Sequence, residues 1–158
     1  MIRKNTILKI FSICIILTLS CGCSFLRVDT GSYEPETSTS AANAILSYTE
    51  TGDVFKRFSA YRNDKRITQN RGLKPGTYAT TEEDATYIQT GTQAVNRYAL
   101  PNDAPAVYVF TIRPPPDTPV KKGVVQPAYG RDGGGVEVLF VDGCQENTVS
   151  IPKVIPAD

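Results

Sequence analysis

The sequence predicts an α+β domain, with a small, mostly antiparallel sheet and a few short helices. Two observations support this fold class. Helical patterns are short and lie before residue 100, whereas the clearest strand patterns lie after it. The patterned stretch numbers about 115 residues, which is enough for one small domain. We therefore expect a single domain at residues 45–158.

Short helices are expected at four places. Asp53 is a good N-cap, because apolar side chains recur behind it at helical spacing. Thr81 is a second helix start, since the acidic residues 82–84 would lie at the positive end of the helix dipole. The segments expected to be helical are 41–48, where the pattern is weak, 53–61, a stretch starting at Thr81, and 92–98.

Strands are also expected at four places. One follows the turn Lys74-Pro75-Gly76. The clearest strand stops before the three prolines Pro114–Pro116, which forbid its continuation. The expected strands are 77–80, 106–112, 136–141 and 148–151.

The N-terminus has the features of a secretory signal. Arg3, Lys4 and Lys9 precede an apolar run at residues 10–19, and small residues follow. The run is about ten residues long, whereas a membrane-spanning helix needs roughly 20. We therefore expect residues 1–22 to be a signal peptide rather than a membrane span.

Two cysteines follow the apolar run. The sequences Thr18-Leu19-Ser20-Cys21 and Ser20-Cys21-Gly22-Cys23 both resemble the lipobox of bacterial lipoproteins. That resemblance implies acylation of Cys23 or Cys21, with several acyl chains making a stable membrane anchor. It also implies a location in the bacterial cell envelope, at the outer membrane or the cell surface. The alternative is that these cysteines form disulfides in a secreted protein.

Residues 23–44 are expected to be a flexible tether, because they are rich in Ser, Thr and Glu and poor in large apolar groups. Removing residues 1–22 takes away three of the 17 basic residues and none of the 16 acidic ones. The remaining chain is slightly acidic, with 14 basic against 16 acidic residues. This charge argues against nucleic acid as a partner.

The sequence contains no histidine. Its absence excludes Ser-His-Asp and Cys-His nucleophile pairs, as well as histidine metal sites. Cys144 is the sole cysteine after Cys23, so neither a disulfide framework nor a cysteine-based zinc site is expected. Any chemistry must therefore use carboxylates, arginines, tyrosines or the backbone, without a metal.

Glu137 is the best candidate for a reactive carboxylate. It lies on an apolar predicted strand, directly after Gly133, Gly134 and Gly135. Three glycines let the backbone approach another group closely. By strand alternation, Glu137 lies on the same face of the strand as the apolar Leu139, which argues against full solvent exposure of the Glu137 side chain. The alternative is a flexible hairpin whose Glu137 faces water.

Several short motifs occur in a fixed order along the chain. They are Arg71–Thr80, Asn96–Pro101, Tyr108–Phe110 and Val125–Glu137. These motifs are similar to those of ADP-ribosyltransferase-like toxin domains. Within that group they resemble the NAD glycohydrolases of the tuberculosis necrotizing toxin type and related polymorphic-toxin domains. The resemblance spans roughly residues 47–141.

The resemblance implies an ADP-ribosyltransferase-like fold with NAD as the substrate, cleaved by hydrolysis or by transfer to a protein target. By position, Glu137 takes the place of the key polar residue, Arg71 and Arg97 contact the phosphates, and Tyr78 packs on nicotinamide. The chain departs from the family in having no histidine, with Ser47 where many relatives have His.

Other interpretations stay open for this domain. The alternative for Arg71 and Arg97 is ordinary solvated surface, and the alternative for Tyr78 is sheet packing. The main alternative function is a non-catalytic cell-envelope lipoprotein with a small binding domain. A further alternative is a protective protein that binds a toxin partner.

Overall fold

The structure is a computed structural model, and it describes residues 39–158. The predicted signal peptide, the two candidate lipidation sites Cys21 and Cys23, and most of the predicted tether lie outside these residues. Within residues 39–158, no helix is both long and apolar enough to cross a membrane.

Residues 39–158 form a seven-stranded antiparallel sheet with short helices, which confirms the α+β prediction. Three strands precede the first α-helix, so the expected order, with α-helices before strands, is wrong. The strands are β1 (Leu46–Tyr48), β2 (Phe55–Ser59), β3 (Thr77–Thr81), β4 (Tyr108–Ile112), β5 (Pro119–Val124), β6 (Val136–Phe140) and β7 (Lys153–Val154). The helices are a 3-10 turn (Ala41–Asn43), α1 (Glu82–Ala85) and α2 (Gly91–Arg97).

The strand order is β1-β5-β6-β3-β2-β4-β7, and β3 divides the sheet into two halves. Residues Thr77–Ala79 of β3 pair with β6, whereas Thr80 and Thr81 pair with β2. The first half-sheet is therefore β1-β5-β6-β3, and the second is β3-β2-β4-β7. Because β2 pairs with only the end of β3, the two strands separate beyond Lys56, and a gap opens between the half-sheets.

Each face of the sheet has its own apolar core. On one face, Phe55 and Phe140 meet edge to face at 5.3 Å between ring centroids, and each fully buried aromatic ring contributes roughly 2–3 kcal/mol. On the other face, α2 packs Ala94 and Val95 against Phe58. The buried residues of the larger core are Phe55, Leu73, Phe110, Ile112, Val120, Val138, Phe140 and Val149.

Residues 53–61, expected to be helical, form strand β2 instead. Phe55 and Phe58 are three residues apart, so they point to opposite faces of a strand. Each of them is buried, because each face of β2 is covered by a core. In a strand buried on both faces, large apolar residues need not alternate, and their spacing imitates a helix.

The other elements match their predictions to different degrees. Thr81 caps α1 by accepting a hydrogen bond from the Asp84 N–H, as expected for a helix start. Strands β3, β4 and β6 and helix α2 confirm their predicted segments. Of residues 41–48, only Ala41–Asn43 are helical, and Val149 forms only an isolated bridge to Ile112. The sequence did not indicate β5, because a proline, two lysines and a glycine obscure its alternation.

Candidate functional site

A cleft of about 920 Å³ lies where the two half-sheets separate. Its walls come from the end of β2 and the loop after it, from β3, from the turn after α2, and from β6. The volume falls within the range of small-molecule and cofactor sites. Its basic side chains are Lys56, Arg57, Lys65 and Arg66, and its tyrosines are Tyr61, Tyr78, Tyr98 and Tyr129.

Glu137 lines this cleft from strand β6. Val138 and Phe140 point into the larger core, so Glu137 and Leu139 face the opposite side of the sheet, as strand alternation predicted. The Glu137 carboxylate is half-buried, and its Oε1 accepts a hydrogen bond of 2.6 Å from the Ala41 N–H. Burial raises the pKa of Glu137 above its ordinary 4.5, and the Ala41 hydrogen bond partly offsets this rise.

Tyr78 also lines the cleft, from strand β3. It pairs with Leu139 across the sheet, so its side chain is on the same face as Glu137. Burial raises the pKa of Tyr78, the negative charge of Glu137 raises it further, and the charge of Arg66 lowers it. The structure thus brings Tyr78, Glu137 and Arg66 into one electrostatic environment, although Tyr78 remains 41% exposed.

The structure places Arg71 and Arg97 outside the lining of this cleft and does not bring them together with Glu137 and Tyr78. Arg71 lies in a turn, and its Nη2 donates a 3.0 Å hydrogen bond to Asn147 Oδ1. Arg97 ends α2, where its guanidinium donates to both carboxylate oxygens of Asp84. Each guanidinium is therefore held by the protein itself, and the cationic groups in the cleft come from other residues.

Arg57 joins the two half-sheets across the gap. Its Nη1 donates a 2.7 Å hydrogen bond to the carbonyl of Tyr78, a residue of β3 that is not paired with β2. Its Nε and Nη2 pair with the buried carboxylate of Asp64. Asp64 also accepts the Arg66 N–H at 2.8 Å, so Arg57 indirectly fixes the loop that carries Arg66. Between Phe55 and Phe58 the sequence has two charged residues, Lys56 and Arg57, and a helical interpretation places both on a solvent face.

Asp84 is the centre of a buried polar network behind the cleft. Besides Arg97, the Tyr98 hydroxyl donates to Asp84 Oδ2 at 3.0 Å, and the Thr80 hydroxyl does so at 3.4 Å. Tyr98 stacks on Phe58 with 5.4 Å between ring centroids, and burial strongly raises the pKa of its hydroxyl. The network therefore fixes the Tyr98 ring in the cleft wall. The sequence indicated Asp84 only as part of a helix start.

None of the three glycines before β6 lines the cleft, and two of them, Gly133 and Gly135, donate hydrogen bonds to the end of α2. A Cβ on Gly135 would collide with the Tyr98 ring, and Gly133 donates its N–H to the Asn96 carbonyl. Gly133 and Gly134 also have φ angles of 70° and 85°, which favour glycine. The predicted close approach of this backbone is confirmed, and the group that it approaches is the end of the protein's own helix.

Within residues 39–158, no three or more His, Cys, Asp or Glu side chains are grouped so that they could hold a metal ion. Cys144 in that part of the chain is a free, half-buried thiol that packs against the larger core. The ionisable groups of the cleft lining are the carboxylates of Asp64 and Glu137, four phenols and four cations.

No protein-family model matches this chain, and no curated protein matches its sequence. A comparison with solved structures finds the structure of Tne2 in complex with Tni2, with a TM-score of 0.52 and 17% sequence identity. The match covers 73% of this chain and 94% of the matched chain. At this identity the similarity concerns the fold, and the chain shares the overall α+β fold of Tne2.

Proposed function

We propose that this chain cleaves the bond between nicotinamide and ribose in NAD, within the cleft at the junction of the half-sheets. The ADP-ribosyl group passes either to water or to a protein target. The observation that carries this proposal is a half-buried carboxylate, Glu137, in a cleft that also presents Tyr78 and several cations.

The cleft lining suits a dinucleotide. The four tyrosines offer flat faces and edges for the nicotinamide and adenine rings. Lys65 and Arg66 are exposed cations that can neutralise a pyrophosphate, and Arg66 offers a planar fork for two phosphate oxygens. These residues take the role that the sequence resemblance assigned to Arg71 and Arg97.

The reaction needs no histidine. The C–N bond between ribose and nicotinamide breaks, nicotinamide leaves as a neutral molecule with the bonding pair, and the ribose carbon becomes oxocarbenium-like. A water or protein nucleophile then bonds to that carbon and releases a proton. Glu137 stabilises the positive charge as it develops, and such electrostatic stabilisation is usually the largest catalytic contribution.

Two further lines support the proposal. The motifs of the chain resemble those of NAD-cleaving toxin domains, and its fold is shared with Tne2. Since Tne2 was solved in complex with Tni2, we extend the proposal to a specific partner for this chain. That partner would be a protein that binds it as a target or as a protective factor.

The decisive measurement is nicotinamide release from NAD by the full-length chain. Glu137→Gln keeps the size of the side chain and removes its charge, so we expect the rate to fall by roughly 100-fold or more. Glu83→Gln is the matched control, because Glu83 is an exposed carboxylate outside the cleft, and we expect it to keep the wild-type rate. Absence of nicotinamide release over a broad pH range, with and without candidate protein acceptors, would refute the reaction. A thermal shift with NAD but no turnover would favour the non-catalytic binding domain.

We also propose that the chain is a lipid-anchored protein of the bacterial cell envelope, on the basis of its N-terminal sequence alone. The test is incorporation of labelled palmitate, compared between Cys21→Ser and Cys23→Ser. We expect one substitution to abolish labelling and to release the protein from the membrane fraction, and the other to leave both unchanged. Labelling that survives both substitutions together would exclude these two anchor sites.

A further inference from the structure

The segment before β1 lies on the face of the sheet that carries Glu137. The Val124 N–H donates to the Thr39 carbonyl at 3.0 Å, and Lys121 Nζ donates to the Ala42 carbonyl at 3.3 Å. Ala41 between these contacts is fully buried. Residues 39–43, which we name the docking segment, are therefore held against β5 on both sides of Ala41.

Gly123 provides the space for the docking segment. It is paired with Glu137 across β5 and β6, so a side chain at residue 123 would point to the same face as Glu137. A Cβ there would collide with Ala41 N, Thr39 O and Ser40 C. The backbone of the docking segment thus occupies the position of a missing side chain, immediately beside the carboxylate.

The contact made in that space is a short hydrogen bond. The Ala41 N–H donates to Glu137 Oε1 at 2.6 Å, at the short end for an N–H donor, and bonds to a charged acceptor are shorter than neutral ones. In the described part of the chain, Oε2 has no hydrogen-bond partner, and it is not among the buried unsatisfied atoms. One carboxylate oxygen is therefore fixed by backbone, and the other is available to a ligand in the cleft. Ser40, the residue immediately before Ala41, lines the same cleft.

We infer that the backbone N–H of Ala41 is a positioning group for Glu137, so that the site is complete only when the docking segment is in place. This inference rests on the proposed NAD-cleaving function. The N–H fixes the orientation of the carboxylate and favours its ionised form in a half-buried environment. Residues 39–43, which the sequence assigned to a flexible tether, thereby become part of the site.

The sharpest test is Ala41→Pro in the full-length chain. Proline has no N–H, yet it suits this position, because Ala41 is the first residue of a 3-10 turn and Ser40 before it has extended angles of φ −62° and ψ 151°. We expect kcat for NAD cleavage to fall by about tenfold, with little change in KM, since hydrogen bonds to charged groups are the stronger ones. The acidic limb of the kcat profile and the NMR titration of the Glu137 carboxyl carbon are both expected to move up by about one pH unit.

Two variants separate this role from a general loss of structure. Ala41→Gly disturbs the same buried position but keeps the N–H, so the titration of Glu137 is expected to stay at the wild-type pH. Gly123→Ala keeps both partners but displaces the docking segment, so it is expected to reproduce the upward shift of Ala41→Pro. Circular dichroism and thermal unfolding identify any variant that fails to fold.

The possible failures are distinguishable. If the wild-type chain releases no nicotinamide, the proposed function is refuted, and the positioning role falls with it. If the wild type is active and Ala41→Pro leaves both kcat and the Glu137 titration unchanged, the positioning role alone is refuted. A higher kcat in Ala41→Pro and Gly123→Ala also overturns it, because the docking segment would then be an inhibitory cover.

Discussion

At the scale of single residues, the carboxylates of Asp84 and Glu137 lie in contrasting environments. Asp84 is buried, but Arg97, Tyr98 and Thr80 all donate to it. Glu137 is half-buried with one backbone donor, and its pKa is raised. A compensated carboxylate serves structure, whereas an incompletely compensated one in a cleft is a candidate for chemistry.

This contrast predicts a large loss of stability when Asp84 is removed. Asp84→Ala leaves Arg97 with no carboxylate partner and the Tyr98 hydroxyl without its acceptor, so we expect the free energy of unfolding to fall by roughly 3 kcal/mol. Denaturant titration measures this. Glu83→Ala is the control, because Glu83 is exposed in the same helical turn, and its effect should stay within about 0.5 kcal/mol. Equal effects of the two substitutions would contradict a buried network.

At the scale of elements, β3 is the only strand in residues 39–158 that belongs to both half-sheets. Its hydrogen bonding changes partner between Ala79 and Thr80, and a sheet that changes partner in mid-strand leaves unpaired backbone groups at the junction. Arg57 satisfies one of them, the Tyr78 carbonyl. The same gap provides the space for the cleft, so the defect in pairing and the candidate site have one origin.

The element scale therefore predicts that Arg57 holds the cleft wall in place. Arg57→Met keeps much of the apolar stem but leaves the buried Asp64 carboxylate without its cation, so we expect a loss of roughly 3 kcal/mol. Amide hydrogen exchange should also become faster in residues 60–66, because the loop loses its connection to β3.

Arg62→Met provides the comparison for Arg57→Met. Arg62 is exposed on the same loop, and no ion pair within residues 39–158 involves it. We expect little change in stability or exchange. If exchange in residues 60–66 is the same in both variants, Arg57 does not hold the loop.

At the scale of the whole molecule, a raised carboxylate pKa links the candidate site to global stability. The folded chain holds the Glu137 proton to a higher pH than the ordinary value of 4.5. Between pH 4.5 and the higher pKa of the folded state, the folded state binds more protons than the unfolded state. Stability therefore decreases as the pH rises through this range. Above the folded pKa, the full destabilisation by the buried charge is present.

We therefore expect Glu137→Gln to be more stable than the wild type at pH 7, although it is expected to be inactive. The difference in the free energy of unfolding should shrink as the pH falls through the folded pKa, and it should vanish below about 4.5. Parallel denaturant titrations of the two chains from pH 4 to pH 8 test this. A difference that does not depend on pH would show that Glu137 is not destabilised by its burial.

Predictability from sequence differed between the elements and the site. Helix α2 and strands β4 and β6 were predictable because local patterning and their end signals agree. Strand β2 was not, because burial on both faces removed its alternation. Glu137 and Tyr78 were predicted as site residues by motif, and the structure places both in the lining of the cleft. Arg71 and Arg97 were chosen by the same means, but long side chains pair with whatever carboxylate or amide the fold brings near them.

The sequence by itself determined the α+β class, the short capped helices, the absence of histidine chemistry, and a carboxylate on a strand behind three glycines. These properties depend on residue type and on neighbours a few positions away. Only the tertiary structure decided which cations line the cleft with Glu137, that Arg57 bridges the half-sheets, and that Ala41 donates to a residue 96 positions later in the chain. Contacts between residues so far apart depend on strand order and on the gap at β3, which local sequence does not encode.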